Sequence, residues 1–228
     1  MAESAGYRSV IVATQYATWL LAQLLRLRYS VRANCPSGLF ERNSGHCLIL
    51  AANHRTYFDL GLLMIAVGFR NLQALAPIRT LGALDFRSPI LTSLKPLIRI
   101  IYWLEGVIPL PPEKESDRSL PEKLRGMLVA LSNGEVAAIF PEGELWKEED
   151  PPVGDFAPGV VYLHRKSAAT ILPIGVWISD RRWPRRRYVA ELGWPVTIPE
   201  DLDQAAGAAW LRQVVIKLYD QAEQHGRA

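Results

Sequence analysis

Apolar positions along this chain gather into short uninterrupted blocks separated by polar breaks. Cys47-Leu48-Ile49-Leu50-Ala51-Ala52 and Val136-Ala137-Ala138-Ile139-Phe140 have the length and composition of strands buried on both faces. Each stops abruptly, the first at Asn53 to Asp59 and the second at Pro141-Glu142-Gly143. Leu60 to Phe69 predicts a helix apolar nearly all round, which calls for burial or a membrane contact. Leu120, Leu124, Met127, Leu128 and Leu131 recur at helical spacing behind Ser119-Leu120-Pro121-Glu122, a capping box with proline in the first turn, and Asn133-Gly134 ends that helix.

Asn34 to Gly38 reads as a turn and Gln73 to Ala76 as a further strand closed by Pro77. Ser88 to Leu110 predicts a helix and then a strand near Val107 to Leu110, with Pro111 to Asp117 a charged loop. Gly159 to Lys166 predicts a short helix, Ile171 to Ile178 and Arg187 to Leu192 strands, and Leu202 through Tyr219 a closing helix. Strands and helices alternate, which argues an α/β fold with a mixed, mostly parallel central sheet covered by helices.

Ser9 to Leu25 run seventeen residues without a charge, short of the roughly 20 a membrane span needs. Thr14, Gln15, Thr18 and Gln23 interrupt the run, Arg8 precedes it, and Arg26, Arg28 and Arg32 follow. Two readings stand: an apolar helix lying at a lipid interface, or a helix packed on the domain's own core. No small-residue cleavage site follows, so no secretory signal is expected. The chain divides on this reading into a membrane-associated segment, 1–32, and a catalytic domain, 33–228.

With 228 residues, 49% hydrophobic and 21% charged, the composition is that of a globular domain and excludes a disordered, collagen-like or polytopic membrane chain. The net charge of +3 is too small to indicate a nucleic-acid binder. Its distribution is uneven: Arg181, Arg182, Arg185, Arg186 and Arg187 crowd together with Trp183. A membrane-surface loop, a dock for an acidic carrier protein or for coenzyme A phosphates, and a plain solvated loop all fit that cluster. Cys35 and Cys47 have no metal-ligand spacing, Cys47 reads as an inert buried thiol, and Glu148-Glu149-Asp150 reads as a solvated loop, so no metal is expected.

His54 and Asp59 follow the first buried strand, where α/β folds place their chemistry. Five residues apart within one helix they would point about 140° from each other, so the loop between them must turn if they are to meet. Asp59 holding Nδ1 would leave Nε2 free to take a proton from a hydroxyl. The spacing alone is weakly specific, and His54 as a satisfied buried histidine with Asp59 as a helix N-cap is the bland alternative. No serine stands in a G-x-S-x-G elbow, so the pair suits acyl transfer to a substrate alcohol better than hydrolysis through an enzyme nucleophile.

Asn53-His54-Arg55-Thr56-Tyr57-Phe58-Asp59 resembles the first signature of the glycerolipid acyltransferases, the family of the lysophosphatidic acid acyltransferases, and Phe140-Pro141-Glu142-Gly143 resembles the third. Ile171 to Val176 is similar to the fourth block, and the resemblance runs from about Leu48 to Val196. It implies a membrane-associated enzyme that moves a fatty acyl group from acyl-coenzyme A or acyl-carrier protein to a lipid hydroxyl, on the cytoplasmic face, without a cofactor. It assigns His54 as the base and Asp59 as its orienting group. Asn53 and Arg55 join the substrate-binding residues, and Phe140, Pro141, Glu142 and Gly143 form the acceptor wall, with Glu142 gripping hydroxyls.

The departures bear on the acceptor. The second signature normally ends in an arginine that binds phosphate, yet Gly106-Val107-Ile108-Pro109-Leu110 leads into Pro111 and Pro112, and Glu144, Leu145 and Trp146 stand where the third signature usually supplies another. The expected acceptor is therefore a hydroxyl-bearing lipid or other hydrophobic alcohol without a phosphate monoester, with Arg79, Arg99 and the arginine cluster as other sources of charge. A 1-acylglycerol-3-phosphate acyltransferase proper, and a catalytically silent membrane-binding module, are the alternatives.

Overall fold

The two uninterrupted apolar blocks become neighbouring strands. In the computed structural model, which describes residues 5–42, 48–83, 93–110, 119–145, 151–180 and 184–228, β2 (Leu48–Ala52) and β5 (Val136–Ile139) pair in parallel, Ile49 opposite Ala137 and Ala51 opposite Ile139. β6 (Thr170–Ile178) flanks β2 in parallel on the other side. With β1 (Tyr29–Asn34), β3 (Ile78–Ala83), β4 (Ile108–Leu110) and β7 (Arg186–Leu192) the sheet reaches seven strands in the order β1-β7-β6-β2-β5-β3-β4. Only β6 and β7 pair antiparallel, so the sheet is mixed and mostly parallel.

Helices cover both faces, as a sheet apolar on both sides requires. On one lie α6 (Leu120–Ser132), α7 (Gly159–Ser167) and α8 (Gln204–Arg227), burying Met127, Leu131, Leu163 and Leu211. The foreseen capping box forms at Ser119, whose backbone N–H donates to the Glu122 carboxylate at 2.9 Å. Gly175 admits α8 close to β6, since a Cβ there would lie 2.2 Å from the Tyr219 backbone nitrogen. On the other face α3 (Asp59–Val67) and α4 (Phe69–Leu75) bury Leu62, Leu72 and Leu75.

Two expectations change here. Gln73 to Ala76 belongs to α4 and to its end, not to a strand. Gly68 at φ 81 breaks the preceding helix, a new one starts at once, and Leu72 and Leu75 bury at helical spacing. The strand lies just beyond Pro77, as β3. β1 was not foreseen: it is an edge strand in which Tyr29 alone is fully buried, so it shows little alternation.

α1 (Ala5–Ala22) runs into a 3-10 turn, Gln23–Leu27. Ala5–Leu27 is long and apolar enough to cross a membrane, and Ile11, Gln15 and Ala22 are its buried residues. Both readings of this segment find support on opposite faces. Inward, the Gln15 amide donates to Ile78 O at 2.6 Å and accepts from Ile78 N at 3.0 Å, and Trp19 Nε1 donates to Met64 O at 3.2 Å. Outward stand Leu20, Leu21 and Leu24. The expected division at residue 32 falls inside β1, which pairs with β7, so this segment is stitched into the sheet.

α5 (Lys95–Glu105) has no buried residue and turns Leu97, Ile100, Ile101 and Trp103 outward. Trp103 stacks on Tyr7 at 5.0 Å between ring centres. Tyr102 packs over Gly82, where a Cβ would lie 2.6 Å from its ring. Cys47, Pro111 to Asp117, Trp146, Glu148 to Asp150 and Arg181 to Trp183 lie outside the described residues.

Candidate active site

The carboxyl ends of β2 and β5 deliver His54 and Phe140 side by side, their rings stacked at 4.3 Å and 18°. The loop after β2 turns back, as the pairing of His54 with Asp59 demands. His54 Nδ1 lies 2.9 Å from Asp59 Oδ2. That same oxygen accepts the backbone N–H groups of Arg55 at 2.5 Å and Thr56 at 2.9 Å. An oxygen receiving two backbone donors is an acceptor, so Nδ1 carries a proton, and in the neutral imidazole Nε2 holds the lone pair. Asp59 is buried, whereas the His54 side chain retains 22% of its exposure.

Asp59 is not the cap of α3. Phe58 holds the N-cap position and no side chain caps there. The carboxylate folds back over the 53–56 loop instead, which replaces the bland alternative of an N-cap with an orienting contact to the histidine.

Glu142 serves the architecture of the site. Its Oε1 accepts the backbone N–H of His54 at 2.8 Å and its Oε2 that of Gly154 at 3.1 Å. Both carboxylate oxygens therefore bind protein backbone, tying the His54 loop to the 151–155 loop. Gly154 is required at that contact, because a Cβ would lie 2.9 Å from Oε2. Burial holds the Glu142 carboxyl above its ordinary 4.5, outweighing the two backbone donors and the charges of His54 and Arg55.

A Glu142→Gln variant sets an amide nitrogen against one of those N–H groups. It is expected to lose about 1 to 3 kcal/mol of stability and roughly tenfold in turnover. The folded protein binds the Glu142 proton more tightly than the unfolded chain. The stability this group contributes is therefore full below the unfolded pKa and declines as pH rises through the folded one. Thermal unfolding of both proteins across the acid range should show their difference shrinking as pH rises; parallel curves would exclude this coupling.

The other foreseen residues divide into supports and walls. Asn53 is fully buried, donating to Val176 O at 3.0 Å and accepting from Val176 N at 2.7 Å, so its amide clamps β2's end to β6 and does not reach substrate. Arg55 donates to Pro152 O at 3.3 Å and lies over the Tyr219 ring at 5.8 Å. Pro141 is buried, its carbonyl accepting from Ala157 N at 2.8 Å. Gly143 is exposed at φ 73 with no protein atom within 4 Å of a Cβ, so the turn's left-handed backbone by itself accounts for glycine here. Arg79 is 5% exposed and committed to Glu135 at 3.2 Å and Gly106 O at 2.7 Å, away from the site.

Three residues had no sequence signal. Arg212 of α8 donates to Gly154 O and Val153 O, each at 2.8 Å, and so props the loop that holds Glu142. Tyr219 supplies the ring under Arg55. Tyr188 is fully buried in β7; burial and the nearby Asp59 charge push its hydroxyl well up. Neither Tyr188 Oη nor Asp59 Oδ1 has a hydrogen-bond partner among the described residues.

Beside the site, Leu60, Leu63, Met64, Val67, Leu75 and Phe140 line a narrow apolar pocket between α3, α4 and the sheet. Among the described residues no three His, Cys, Asp or Glu side chains are grouped to hold a metal ion.

Fold and site together define an α/β protein whose histidine and aspartate meet at the carboxyl end of a parallel sheet. A family model described as acyltransferase matches residues 28–177, more than half of the chain, and the chain belongs to the acyltransferase family. Its fold is that of the crystal structure of the 1-acyl-sn-glycerophosphate (LPA) acyltransferase PlsC from Thermotoga maritima, at a TM-score of 0.59 and 16% identity over 90% of this chain and 78% of that one. No curated protein sequence matches the chain. The protein is an acyltransferase.

Proposed function

We propose that this acyltransferase moves a fatty acyl group from an acyl thioester, on coenzyme A or a carrier protein, to the hydroxyl of a lipid that carries no phosphate monoester. The observation that carries the catalytic part is the His54 Nδ1 to Asp59 Oδ2 contact, at 2.9 Å, with no hydrogen-bond partner for Nε2 among the described residues. Nε2 takes the acceptor's hydroxyl proton as its oxygen attacks the thioester carbon. The tetrahedral intermediate collapses, the C–S bond breaks, and the imidazolium returns its proton to the departing thiolate, giving ester and free thiol. Asp59 stabilises the imidazolium between the two transfers.

The apolar pocket beside Phe140 suits the acyl tail, its walls being entirely aliphatic and aromatic. It is narrow, so a tail enters as side chains part, and Met64 is the adaptable one among them. A Leu63→Trp variant is expected to shift donor preference toward shorter chains by several carbons, read from competing donors of graded length. An unchanged chain-length profile would place the tail elsewhere.

The acceptor follows from the residues at the two departures from the family signatures and from the commitments of the cations nearby. Arg79 is bound in its buried ion pair, and Arg55 is half-buried between Pro152 and Tyr219. The outward leucines of α1 and the few buried residues of Ala5–Leu27 support association with a membrane, and on this proposal that is the cytoplasmic face.

The test supplies labelled acyl-coenzyme A with lysophosphatidic acid, a diacylglycerol and a glycolipid in equal surface concentrations. Label is expected in a phosphate-free acceptor at least tenfold above lysophosphatidic acid. The reverse order would assign this chain the activity for which the Thermotoga maritima protein is named. No transfer to any acceptor, from acyl-coenzyme A or from acyl-carrier protein supplied in parallel, with a competent control enzyme, would leave a silent binding module.

A further inference from the structure

The two oxygens of the Asp59 carboxylate are held unequally. Oδ2 faces His54 Nδ1 and accepts the backbone N–H groups of Arg55 and Thr56, while Oδ1, also buried, receives no donor among the described residues. A carboxylate oxygen shut away from water without a donor costs free energy. A buried phenol has the opposite want: Tyr188 is fully enclosed, and its hydroxyl has no acceptor among the described residues. Phenylalanine would fill the same space without burying an unmatched oxygen. Thr170, whose hydroxyl is in the same condition, stands at the start of β6, at the far end of the sheet from the site.

Strand register brings Tyr188 to the site's end of the sheet. β7 runs antiparallel to β6, with Ala190 opposite Val176 and Tyr188 opposite Ile178, so Tyr188 lies beyond Val176 toward the carboxyl end of β6. Val176 is the residue whose backbone the Asn53 amide clamps, and the loop bearing His54 leaves β2 at that level. Side chains alternate between the faces of a strand. Tyr188, Ala190 and Leu192 share a buried cluster with Leu62 and Leu63 of α3, whereas Val189 joins the cluster on the opposite face. Tyr188 therefore lies on the side covered by α3, the helix that opens with Asp59. Burial, then the Asp59 charge, then Tyr29 on neighbouring β1 push the phenol well up, so it keeps its proton and is available as a donor.

We propose that Tyr188 is a positioning residue for acyl transfer, its hydroxyl donating to Asp59 Oδ1 directly or across one bound water. The donor that Oδ1 lacks is the one that the phenol has free. Held at Oδ2 by the 55–56 backbone and at Oδ1 by the phenol, the carboxylate cannot swing about its Cβ–Cγ bond. Oδ2 then stays in line with Nδ1 while His54 takes up and returns its proton. Tyr188 touches no substrate in this arrangement; it acts on His54 through Asp59. For its effect on turnover the inference rests on the proposed roles of His54 and Asp59, and for the pairing on burial and topology.

Tyr188→Phe removes one oxygen and keeps the ring, and the two possibilities for that oxygen predict opposite signs. A hydroxyl that serves Oδ1 makes Y188F less stable, because a buried carboxylate oxygen loses its donor; a hydroxyl without a partner makes Y188F more stable. Full-length wild type, Y188F, D59N and Y188F/D59N are compared by thermal unfolding and by transfer of labelled acyl groups from acyl-coenzyme A to the acceptor that wild type uses. Y188F is expected to lower Tm by about 2 to 4 °C. It is expected to lower turnover about tenfold while leaving the KM for acyl-coenzyme A within about twofold. In the D59N background, where an amide nitrogen stands in place of Oδ1, the same change is expected to alter turnover less than about twofold, since Tyr188 acts only through the carboxylate. An unchanged or raised Tm for Y188F overturns the pairing. An equal loss of turnover in both backgrounds overturns the positioning role and leaves Tyr188 a packing residue. If wild type transfers to no acceptor, the proposed function fails, and the sign of the Tm shift still decides whether Tyr188 holds Asp59.

Discussion

Replacing His54 by alanine is expected to lower acyl transfer by on the order of 10³-fold while leaving the fold in place. A positioned base contributes roughly 10² to 10⁴ in rate, and the two carboxylates beside it, Asp59 and Glu142, are engaged by backbone N–H groups. The structural cost is small. Asp59 keeps its two backbone donors from Arg55 and Thr56, so its buried carboxylate is not abandoned, and the lost stacking on Phe140 involves a ring already open to solvent on one side. Transfer of labelled acyl groups into lipid, with thermal unfolding followed in parallel, checks both halves. Retention of more than a tenth of wild-type activity by a folded variant would remove His54 from the reaction.

Asp59→Asn separates orientation from charge. The asparagine oxygen can take the place of Oδ2, which receives the N–H groups of Arg55 and Thr56 and faces His54 Nδ1, while its amide nitrogen occupies the position of Oδ1. The loop should hold its shape. What disappears is the negative charge that, on the proposed mechanism, steadies the imidazolium between proton uptake and proton return, a loss worth on the order of 10² to 10⁴ in turnover. The KM for the donor is expected to stay near its wild-type value, since Asp59 is buried and touches no substrate. A large rise in KM with turnover preserved would show instead that Asp59 shapes a binding surface.

The parts of this site that lie next to each other in sequence were the readable ones. The β2 and β5 blocks announce themselves because strands buried on both faces need apolar side chains at every position, and His54 and Phe140 follow them directly. Ser119 and Glu122 report their helix for a similarly local reason, the capping box lying within one turn. Glu142 shows where local reading ends. Its residue type and position after β5 are visible, but its partners are the backbone of His54 and of Gly154, brought to it by strand pairing and by Arg212 from a distant helix. Asn53 deceives for the same reason, its amide being taken by a strand more than a hundred residues on. β1 and α4 were lost because an edge strand with one buried face and a seven-residue helix carry too few positions to display a period.

The indole of Trp19 bonded to Met64 O, and the seat of Ala22 and Leu25 against Gly61, join α1 to the helix that opens with Asp59. Anchor and catalytic carboxylate thereby form a single lever, with α3 as its short arm. A tilt of α1, imposed by membrane thickness or by detergent, reaches the hydrogen-bonded turn around Asp59 without crossing any loop. On the proposed membrane seating the bilayer is an outer wall of the active site, and its removal should alter turnover itself as well as the local supply of lipid.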